Sequence, residues 1–581
     1  MIFRYKKDFK QLKTFYRFLQ SKPCPKIPIN LKDDAPCFTN VVNFSDKIAL
    51  CDSVGSYTYG NIFLSAKKLS EEITQKMMGK TSERVLFLCS NNVNYIITLW
   101  AIWMSGQIAV PLSPLHPQNL LLYYASDAKP KMLITSPKYK EMSHRVAKNT
   151  DTQMLVLSDK MKLNCAQNFP EKDSDFEGGL SDLFYKNSDA LILYTSGTTG
   201  HPKGVILSHK NLCSQVNMLV EAWKLSSADL LLHTLPLNHV HGIVNAMLCP
   251  LTVGAKMIML PKFDANSVWS HLLGINPKFS DRKINVLMAV PTMYTKLIEE
   301  YDRVFSKDPK MKEHIFNILK SRVRLMVSGS APLPNSIFER WLEITGHELL
   351  ERYGMTEIGM CLSNPYESKR QPGYVGKPLP GVCVKIEGKD INDKSEILVE
   401  SCNIDGKITV DVKNRSEEKG NPSGLLLVKS NGVFKGYFER PEATMKEFTD
   451  DGFFITGDIC EYDIEKDLFK ILGRANVDII KSGGYKISAL EIETELLNNG
   501  DIKECSVVGI PDEKWGERIA AIVVLNGDKT MTVEDLKTWA SNRLPKYSIP
   551  TVLKVVEAIP RNTMGKVNKR EMIKTVFNKL D

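Results

Sequence analysis

The sequence predicts an α/β fold in which a large N-terminal domain, built of α/β subdomains, precedes a small and mobile α+β C-terminal domain. The chain has 581 residues, enough for about three to five structural units. Strand-like and helix-like runs alternate from about residue 48 onward, and a different pattern of short elements begins after Arg474. Hydrophobic residues make up 43% and charged residues 25% of the chain, which excludes a wholly disordered, collagen-like or coiled-coil protein.

In the N-terminal part, residues 84–88 and 132–135 have the composition of strands, and residues 65–74 and 93–104 have helical periodicity. The uncharged stretch 85–126 includes a helix-like run that Gly106 and Pro111 interrupt. We therefore expect a core helix followed by a buried strand instead of a membrane span. The apolar run 190–194 predicts a further buried strand that ends in a functional loop.

The C-terminal part carries two helix-start signals. Ser488 with Glu491 predicts a capping box for a helix that reaches residue 497, and Thr532 with Asp535 predicts a second one. Strands are expected at 505–508, 520–525 and 552–556, which together with the helices make an α+β domain. The polar segment 390–424 predicts a loop-rich insertion or a surface hairpin.

Charge and cysteine content restrict the function classes. The net charge of +9 suits anionic small ligands as well as nucleic acid. No motif contains an aromatic-interleaved basic patch, so nucleic acid is set aside as a partner. The 12 cysteines are scattered singly, and we expect them to be reduced thiols in an intracellular compartment.

Residues 1–23 are basic and amphipathic, with seven Lys or Arg against the single acid Asp8. This segment resembles a mitochondrial presequence and predicts a location in the mitochondrial matrix. A solvated leader helix and a membrane-surface anchor are the alternatives. Stable insertion into a membrane is not expected.

The segment YTSGTTGHPKG, residues 194–204, is the first candidate site. Small residues let backbone N–H groups approach an anion, hydroxyls add donors, and Lys203 supplies a mobile positive charge. Pro202 occupies the position where a Walker loop has its second glycine, so this is a different kind of phosphate loop. A plain Ser/Thr-rich turn is the alternative.

With this loop and four later motifs in order, the chain resembles the adenylate-forming superfamily, which includes the acyl-CoA synthetases. The later motifs are SGSAP at 328–332, YGMTE at 353–357, TGD at 456–458 followed by Gly473 and Arg474, and PRNTMGK at 560–566. The resemblance covers nearly the whole chain after about residue 40. It implies domain limits at 24–474 and 475–581, and ATP, coenzyme A and Mg²⁺ as ligands.

The resemblance also implies individual roles for the first half-reaction, in which a carboxylate attacks the α-phosphorus of ATP. Glu357 holds Mg²⁺, Thr356 touches the phosphates, Asp458 accepts the ribose hydroxyls, and Lys566 meets the charge that develops on the phosphates. The implied ATP-binding set is Thr195, Ser196, Gly197, Thr198, Thr199, Gly200, Lys203, Ser330, Ala331, Glu351, Tyr353, Thr356, Asp458, Arg474 and Lys566.

For the second half-reaction, in which coenzyme A attacks the acyl-adenylate, the family swings its C-terminal domain about a hinge residue that here is Asn476. Many relatives have Asp or Lys at this position. The swing brings another segment to the site in place of the lysine loop. The implied CoA-binding residues are Lys481, Ser482, Gly483, Gly484 and Trp515.

One residue discriminates between candidate acids. Arg352 precedes the YGMTE motif, in a segment that forms part of the acyl pocket in this family. A buried guanidinium beside a hydrocarbon tail would be costly, whereas a second carboxylate would offset that cost through a bidentate pair. This favours a short dicarboxylic acid. The alternative is a salt bridge from Arg352 to Glu351, Glu357 or another acid.

Within the superfamily the chain resembles the malonyl-CoA synthetases, through the strings LLERYGMTEIGM at 349–360 and LPLNHVHG at 235–242. The resemblance implies malonate as the acid, with methylmalonate as a second substrate, and malonyl-CoA, AMP and diphosphate as products. His239 is expected to gate the reactive carboxylate, while His241 and Ser328 line the acid pocket. A metal site at the two histidines is disfavoured because no carboxylate or cysteine accompanies them.

Two other functions stay open at this point. A medium-chain fatty acyl-CoA synthetase shares the same motifs and is disfavoured by Arg352. A catalytically silent nucleotide-binding scaffold is disfavoured by the complete set of motif residues. A monomer or a weak homodimer is expected.

Overall fold

The structure is a computed structural model that describes residues 35–170, 173–195, 201–275, 283–389, 394–413, 420–483, 485–561 and 567–577. Its mixed α/β architecture, with a large N-terminal part and a small C-terminal part, confirms the predicted fold class. The proposed presequence, Ser196 to Gly200, Gly484 and Lys566 lie outside the described residues.

The nine-stranded sheet positions the acid pocket. Its central six strands are parallel, and its edges are antiparallel. The strands in spatial order are Lys377–Pro378, Gly359–Ser363, Leu350–Met355, Leu325–Ser328, Val286–Ala289, Leu230–His233, Lys256–Met259, Ile48–Cys51 and Ser56–Thr58.

The seven-stranded sheet carries the phosphate loop. Five of its strands are parallel neighbours, and the other two, Gly436–Tyr437 and Lys203–Ser208, form an antiparallel edge. In spatial order they are Gly436–Tyr437, Lys203–Ser208, Asp189–Thr195, Ile108–Pro111, Arg84–Leu88, Met132–Thr135 and Gln153–Val156. The expected strands at 84–88 and 132–135 have the predicted bounds, and the one at 190–194 is a residue longer at each end.

The α-helices of the N-terminal part include the two that the sequence predicts. The helix expected at 93–104 has those bounds and is buried throughout, in a core that also contains residues of both large sheets. The helix expected at 65–74 runs from Tyr59 to Lys76. The other α-helices are Gln118–Ala128, Lys140–Asn149, Met161–Ala166, Asp182–Asn187, His209–Ala222, Cys249–Thr252, Ala265–Leu273, Pro291–Val304, Pro309–Arg322, Asn335–Thr345 and Pro441–Met445. Within the described ranges, no helix is long and apolar enough to cross a bilayer.

A six-stranded antiparallel sheet follows, made in spatial order of Lys407–Val412, Ser395–Ile404, Cys383–Lys389, Ser423–Lys429, Phe454–Asp463 and Leu468–Arg474. The segment predicted as an insertion or hairpin supplies two of these strands, so the hairpin alternative is confirmed. The expectation that all cysteines are reduced is wrong here. Cys383 and Cys402 face each other on adjacent strands and form a disulfide.

The C-terminal part is a five-stranded sheet of Tyr485–Ser488, Ile479–Ser482, Gly516–Leu525, Ile502–Asp512 and Val552–Val555, with helices Ala489–Leu496, Val533–Ala540 and Lys569–Val576. Alternate residues of the Gly516–Leu525 strand enter separate apolar clusters on the two faces of the sheet. The Thr532 capping box forms as predicted. Ser488 accepts the Glu491 N–H, and its helix ends at Leu496.

Candidate functional site

The residues predicted to bind the acid collect at the carboxyl ends of the parallel strands in the nine-stranded sheet. Ser328 ends one strand, and Arg352 lies on the next. Loops that leave neighbouring parallel strands at this edge form a crevice, which is the usual ligand position in an open α/β sheet. The fold therefore brings together side chains that are not adjacent in the sequence.

Arg352 is buried, with 3% of its surface exposed. Its Nη2 donates to Ser330 Oγ at 3.3 Å, and its Nε has no hydrogen-bond partner. Among the described residues it forms no ion pair with a carboxylate. Burial lowers the pKa of Arg352 to about 9, which leaves it charged at neutral pH. The site therefore holds a cation whose charge no described acid neutralises.

The two acids that could have paired with Arg352 have other partners. Glu351 accepts the N–H of Gly373 at 3.0 Å. Glu357 accepts the Tyr437 hydroxyl at 3.2 Å. Neither of the salt bridges that the sequence left open for Arg352 is present.

Ser330 links Arg352 to His241. Its Oγ lies 3.3 Å from His241 Nδ1, and its backbone has a φ of 70°, an uncommon conformation for a residue with a side chain. Because a guanidinium only donates, Ser330 Oγ accepts from Arg352, and its own hydrogen is available to Nδ1. In the tautomer that accepts this hydrogen, His241 carries its own hydrogen on Nε2, which is buried and has no partner.

His241 is uncharged in this environment. Burial lowers its pKa well below the ordinary value, and the positive charge of Arg352 lowers it further. In that tautomer the pocket presents two buried donors without hydrogen-bond partners, the Nε of Arg352 and the Nε2 of His241. Both match a ligand that only accepts hydrogen bonds, such as a carboxylate.

His241 begins a π-helix, His241–Leu248, which the sequence did not predict. π-helical turns often occur at functional sites. Asn245, four residues on, is fully buried, and neither atom of its amide has a partner. Sequence reasoning missed Asn245, whose only signal was an amide within an apolar run. Gly242 allows the first turn of the π-helix to pack closely against the preceding loop, because a Cβ there would lie 2.2 Å from the carbonyl oxygen of Pro236.

The structure does not assign a role to Ser328 or His239. Ser328 is buried in the strand end, and its Oγ has no partner. His239 is half-buried, with its Nε2 3.5 Å from the amide nitrogen of Asn238. Their assignments to acid binding and to gating stay predictions.

The nucleotide residues form a second network beside the acid pocket. Asp458 receives the Tyr353 hydroxyl on one carboxylate oxygen and the Arg474 Nε, at 2.9 Å, on the other. Arg474 also donates to the carbonyl of Thr456 at 2.7 Å. Asp458 is therefore held by two donors that come from different strands.

Lys203 and Glu357 approach each other through Tyr437, which sequence reasoning missed. The ammonium of Lys203 lies 4.4 Å from the centre of the Tyr437 ring and 3.6 Å from Glu447 Oε1. Burial raises the pKa of Glu357, because it disfavours the charged carboxylate. Thr356 lies half-buried in the turn before it, while Ala331 is exposed beside Ser330.

The phosphate loop connects two paired strands. Thr195 and Lys203 face each other where the strands separate, so the loop begins and ends at one place. Tyr123 supports it from outside, since its hydroxyl donates to the carbonyl of Pro202 at 2.7 Å and its ring stacks on His201.

The described part of the chain contains no group of three His, Cys, Asp or Glu that could hold a metal by itself. Mg²⁺ is commonly bound through one or two carboxylates together with substrate phosphates. Glu357, beside the cationic Lys203, fits that requirement as a single protein ligand.

The residues predicted for the second half-reaction lie on the five-stranded sheet. Asn476 is exposed in the turn between Arg474 and the strand Ile479–Ser482. Lys481 and Gly483 are exposed, and Ser482 is half-buried. Trp515 is half exposed, and its backbone carbonyl accepts the N–H of Gly483. Gly483 and Trp515 thus lie side by side in the described part of this sheet.

Two family models match the chain. The model described as AMP-binding enzyme matches residues 37–438, and the AMP-binding enzyme C-terminal domain matches residues 491–566. The chain is 42% identical to the mitochondrial malonate–CoA ligase ACSF3 of Bos taurus, over 96% of this chain and 93% of the relative. It is 37% identical to the malonate–CoA ligase of Arabidopsis thaliana, over 93% and 88%. The crystal structure of ATP-bound MatB from Rhodopseudomonas palustris matches with a TM-score of 0.76 at 31% identity, over 93% of this chain and 99% of that one.

Glu351 gives a pH prediction. Burial raises its pKa to about 8, so the folded state keeps a proton there that an unfolded chain releases near pH 4.5. The associated stability is present below the unfolded pKa and is lost as pH rises towards 8. The melting temperature of Glu351→Gln, measured relative to that of the wild type, should therefore rise as the pH increases from 5 to 8. A constant difference across this range would contradict the buried, protonated carboxyl.

Gly242→Ala tests the entry into the π-helix. The added methyl meets a backbone oxygen, so we expect a loss of about 1 to 3 kcal/mol in unfolding free energy and a raised KM for the acid. Urea unfolding and steady-state kinetics measure both. Gly500→Ala is the control, because a Cβ there meets nothing within 4 Å, and equal losses in the two variants would refute the steric argument.

Proposed function

The chain belongs to the AMP-binding enzyme family, and from this premise we propose that it is an ATP-dependent malonate–CoA ligase. It forms malonyl-CoA, AMP and diphosphate through a malonyl-adenylate, and it also accepts methylmalonate. The relatives named malonate–CoA ligase support this activity, as does the likeness to MatB. The proposed domains are 24–474 for adenylation and 475–581 for the mobile lid.

The observation that carries the choice of acid is the buried Arg352 without a described carboxylate partner. In the proposed complex the distal carboxylate of malonate pairs with its guanidinium and accepts from His241 Nε2. A hydrocarbon tail would leave the same donors buried and unpaired, at a cost of about 1 to 3 kcal/mol for each. Fatty acids are therefore disfavoured as substrates.

In the first half-reaction, the near carboxylate oxygen attacks the α-phosphorus of ATP and diphosphate leaves with the electrons of the broken P–O bond. Asp458 and Tyr353 hold the ribose side, and Ser330 with Ala331 borders the adenine. Lys203 and Lys566 offset the phosphate charge that otherwise repels the carboxylate. Thr195 through Gly200 supply N–H and hydroxyl donors to the phosphates.

We assign Mg²⁺ to Glu357, with Thr356 as the neighbouring contact to phosphate. When bound, the ion neutralises charge on the phosphates of ATP. A bound cation would favour the charged form of this buried carboxylate.

In the second half-reaction, the thiolate of coenzyme A attacks the acyl carbon and AMP leaves, which needs the lysine loop to withdraw first. We assign this change to rotation at Asn476, which brings Lys481 to Gly484 and Trp515 to the site. Glycines there leave room for the narrow pantetheine arm.

We also propose a mitochondrial location, in the matrix. The printed names of the animal relatives include the word mitochondrial, and residues 1–23 have the basic, amphipathic composition of a presequence.

Arg352→Ala should lower kcat/KM for malonate at least a hundredfold. The change removes one partner of a buried ion pair, worth about 3 to 5 kcal/mol. Monocarboxylic acids such as butyrate and octanoate, assayed for thioester formation in parallel, should change little. An equal loss for mono- and dicarboxylic acids would show structural damage and reject the assignment, and efficient octanoate use by the wild type would favour a fatty acyl-CoA synthetase.

Lys566→Ala should slow malonate-dependent adenylation by at least a hundredfold, since one donor to developing charge contributes about 3 to 4 kcal/mol. Thioester formation from supplied malonyl-adenylate should be largely retained. Lys574→Ala, eight positions further on, is a control that should leave both rates unchanged. A wild-type rate of adenylation in Lys566→Ala would refute the role of this lysine.

A further inference from the structure

A buried ion cluster lies immediately after the proposed hinge. The ammonium of Lys569 is 2.6 Å from Asp478 Oδ1 and 2.7 Å from Glu493 Oε1. We call these three residues the ion triad. Lys569 and Asp478 are buried, and Glu493 also accepts the N–H of Val507 at 2.7 Å. The triad has one positive and two negative charges, so loss of either carboxylate still leaves a balanced ion pair.

Asp478 differs from Glu493 because it also reaches across the hinge turn, residues 475–478. Its second oxygen, Oδ2, accepts the backbone N–H of Arg474 at 3.0 Å. Arg474 ends the six-stranded sheet, and Ile479 begins the next strand in the five-stranded sheet. The close approach depends on Gly473, where a Cβ would lie 2.5 Å from the Cβ of Asp478.

The two contacts of Asp478 respond differently to rotation at Asn476. Asp478, Glu493 and Lys569 all follow the hinge in sequence, so the triad travels with the C-terminal part. Arg474 precedes the hinge, so its N–H moves relative to the carboxylate of Asp478. The Arg474 contact therefore belongs to one orientation of the lid.

The exposure of the hairpin tip bears on the orientation of the lid. Lys481, Gly483 and Tyr485 are exposed, with Tyr485 at 53%. In the proposed function this tip approaches the site during thioester formation. In the described orientation these tip residues are exposed to solvent.

Lys569 also anchors the base of the lysine loop. It is the first residue of the helix Lys569–Val576, three positions after Lys566. Arg561 and Val567 pair as a bridge at the two ends of the loop, and Arg561 contacts Glu504 at 2.8 Å. The triad therefore joins the hinge turn to the segment that carries the lysine.

We propose that Asp478 is a positioning residue that latches the C-terminal domain in the orientation used for adenylation, with Lys569 holding its carboxylate in place. The proposal rests on the function proposed above. A hydrogen bond to a charged group contributes a factor of about 10 to 100 to such an equilibrium.

The two half-reactions, measured separately on the full chain, test this latch. Adenylation is followed as malonate-dependent exchange of labelled diphosphate into ATP, and thioester formation as conversion of synthetic malonyl-adenylate and CoA. Asp478→Ala should slow exchange about 10- to 100-fold, and Asp478→Asn about tenfold because its amide oxygen still accepts. Thioester formation should stay within about threefold, because the contact is made only in the adenylation orientation.

Glu493→Gln is the matched control, since it removes the same charge from the triad without touching Arg474. It should change both half-reactions by less than about threefold. Equal slowing of both half-reactions in the Asp478 variants, or the same selective loss in Glu493→Gln, would overturn the latch. If Asp478→Ala does not fold, Asp478→Glu keeps the charge but shifts the carboxylate, and an unchanged exchange rate in that variant would also reject it. A wild-type chain that exchanges diphosphate with no acid would overturn the proposed function itself.

Discussion

Burial of a guanidinium without an acid to neutralise it is the constraint on which the site depends. Arg352 is nearly inaccessible, and the described residues offer it a serine hydroxyl but no carboxylate. Protein interiors rarely keep such a charge unless it has a task. The surrounding groups preserve the imbalance, because His241 is held neutral and Glu351 is directed to Gly373. A dianionic acid supplies the missing charge at one end while its other end remains available for reaction.

One strand carries residues of both the predicted acid pocket and the predicted nucleotide site. Successive side chains of Leu350–Met355 leave opposite faces of the sheet, so Arg352 reaches the acid pocket while Tyr353 reaches Asp458. In the proposed function, the acid and the nucleotide are thereby held on a common rigid element, and their separation is set by the pleat of the strand. Reactants held in this way approach each other without losing further orientational freedom at the moment of reaction.

The sequence predicted the elements whose signals are local. The helix at 93–104 and the strands at 84–88 and 132–135 have strong periodicity, and each motif residue is recognisable from its neighbours in sequence. What it could not predict depends on register or on packing between distant segments. The Cys383–Cys402 disulfide requires the two strands to pair in one register. The π-helix at His241 has the composition of an ordinary helix, and the contacts of Tyr437 with Glu357 and of Asp478 with Lys569 join residues far apart in the chain.

Arg474 links the nucleotide site to the hinge through two different parts of one residue. Its side chain pairs with Asp458, the predicted ribose ligand, and its backbone N–H meets Asp478 across the turn. A ligand that fixes Asp458 also fixes Arg474, and with it the position of the N–H that Asp478 must reach. If Asp458 binds the ribose and the lid rotates at Asn476, as proposed, Arg474 couples the occupant of the nucleotide site to the orientation of the lid.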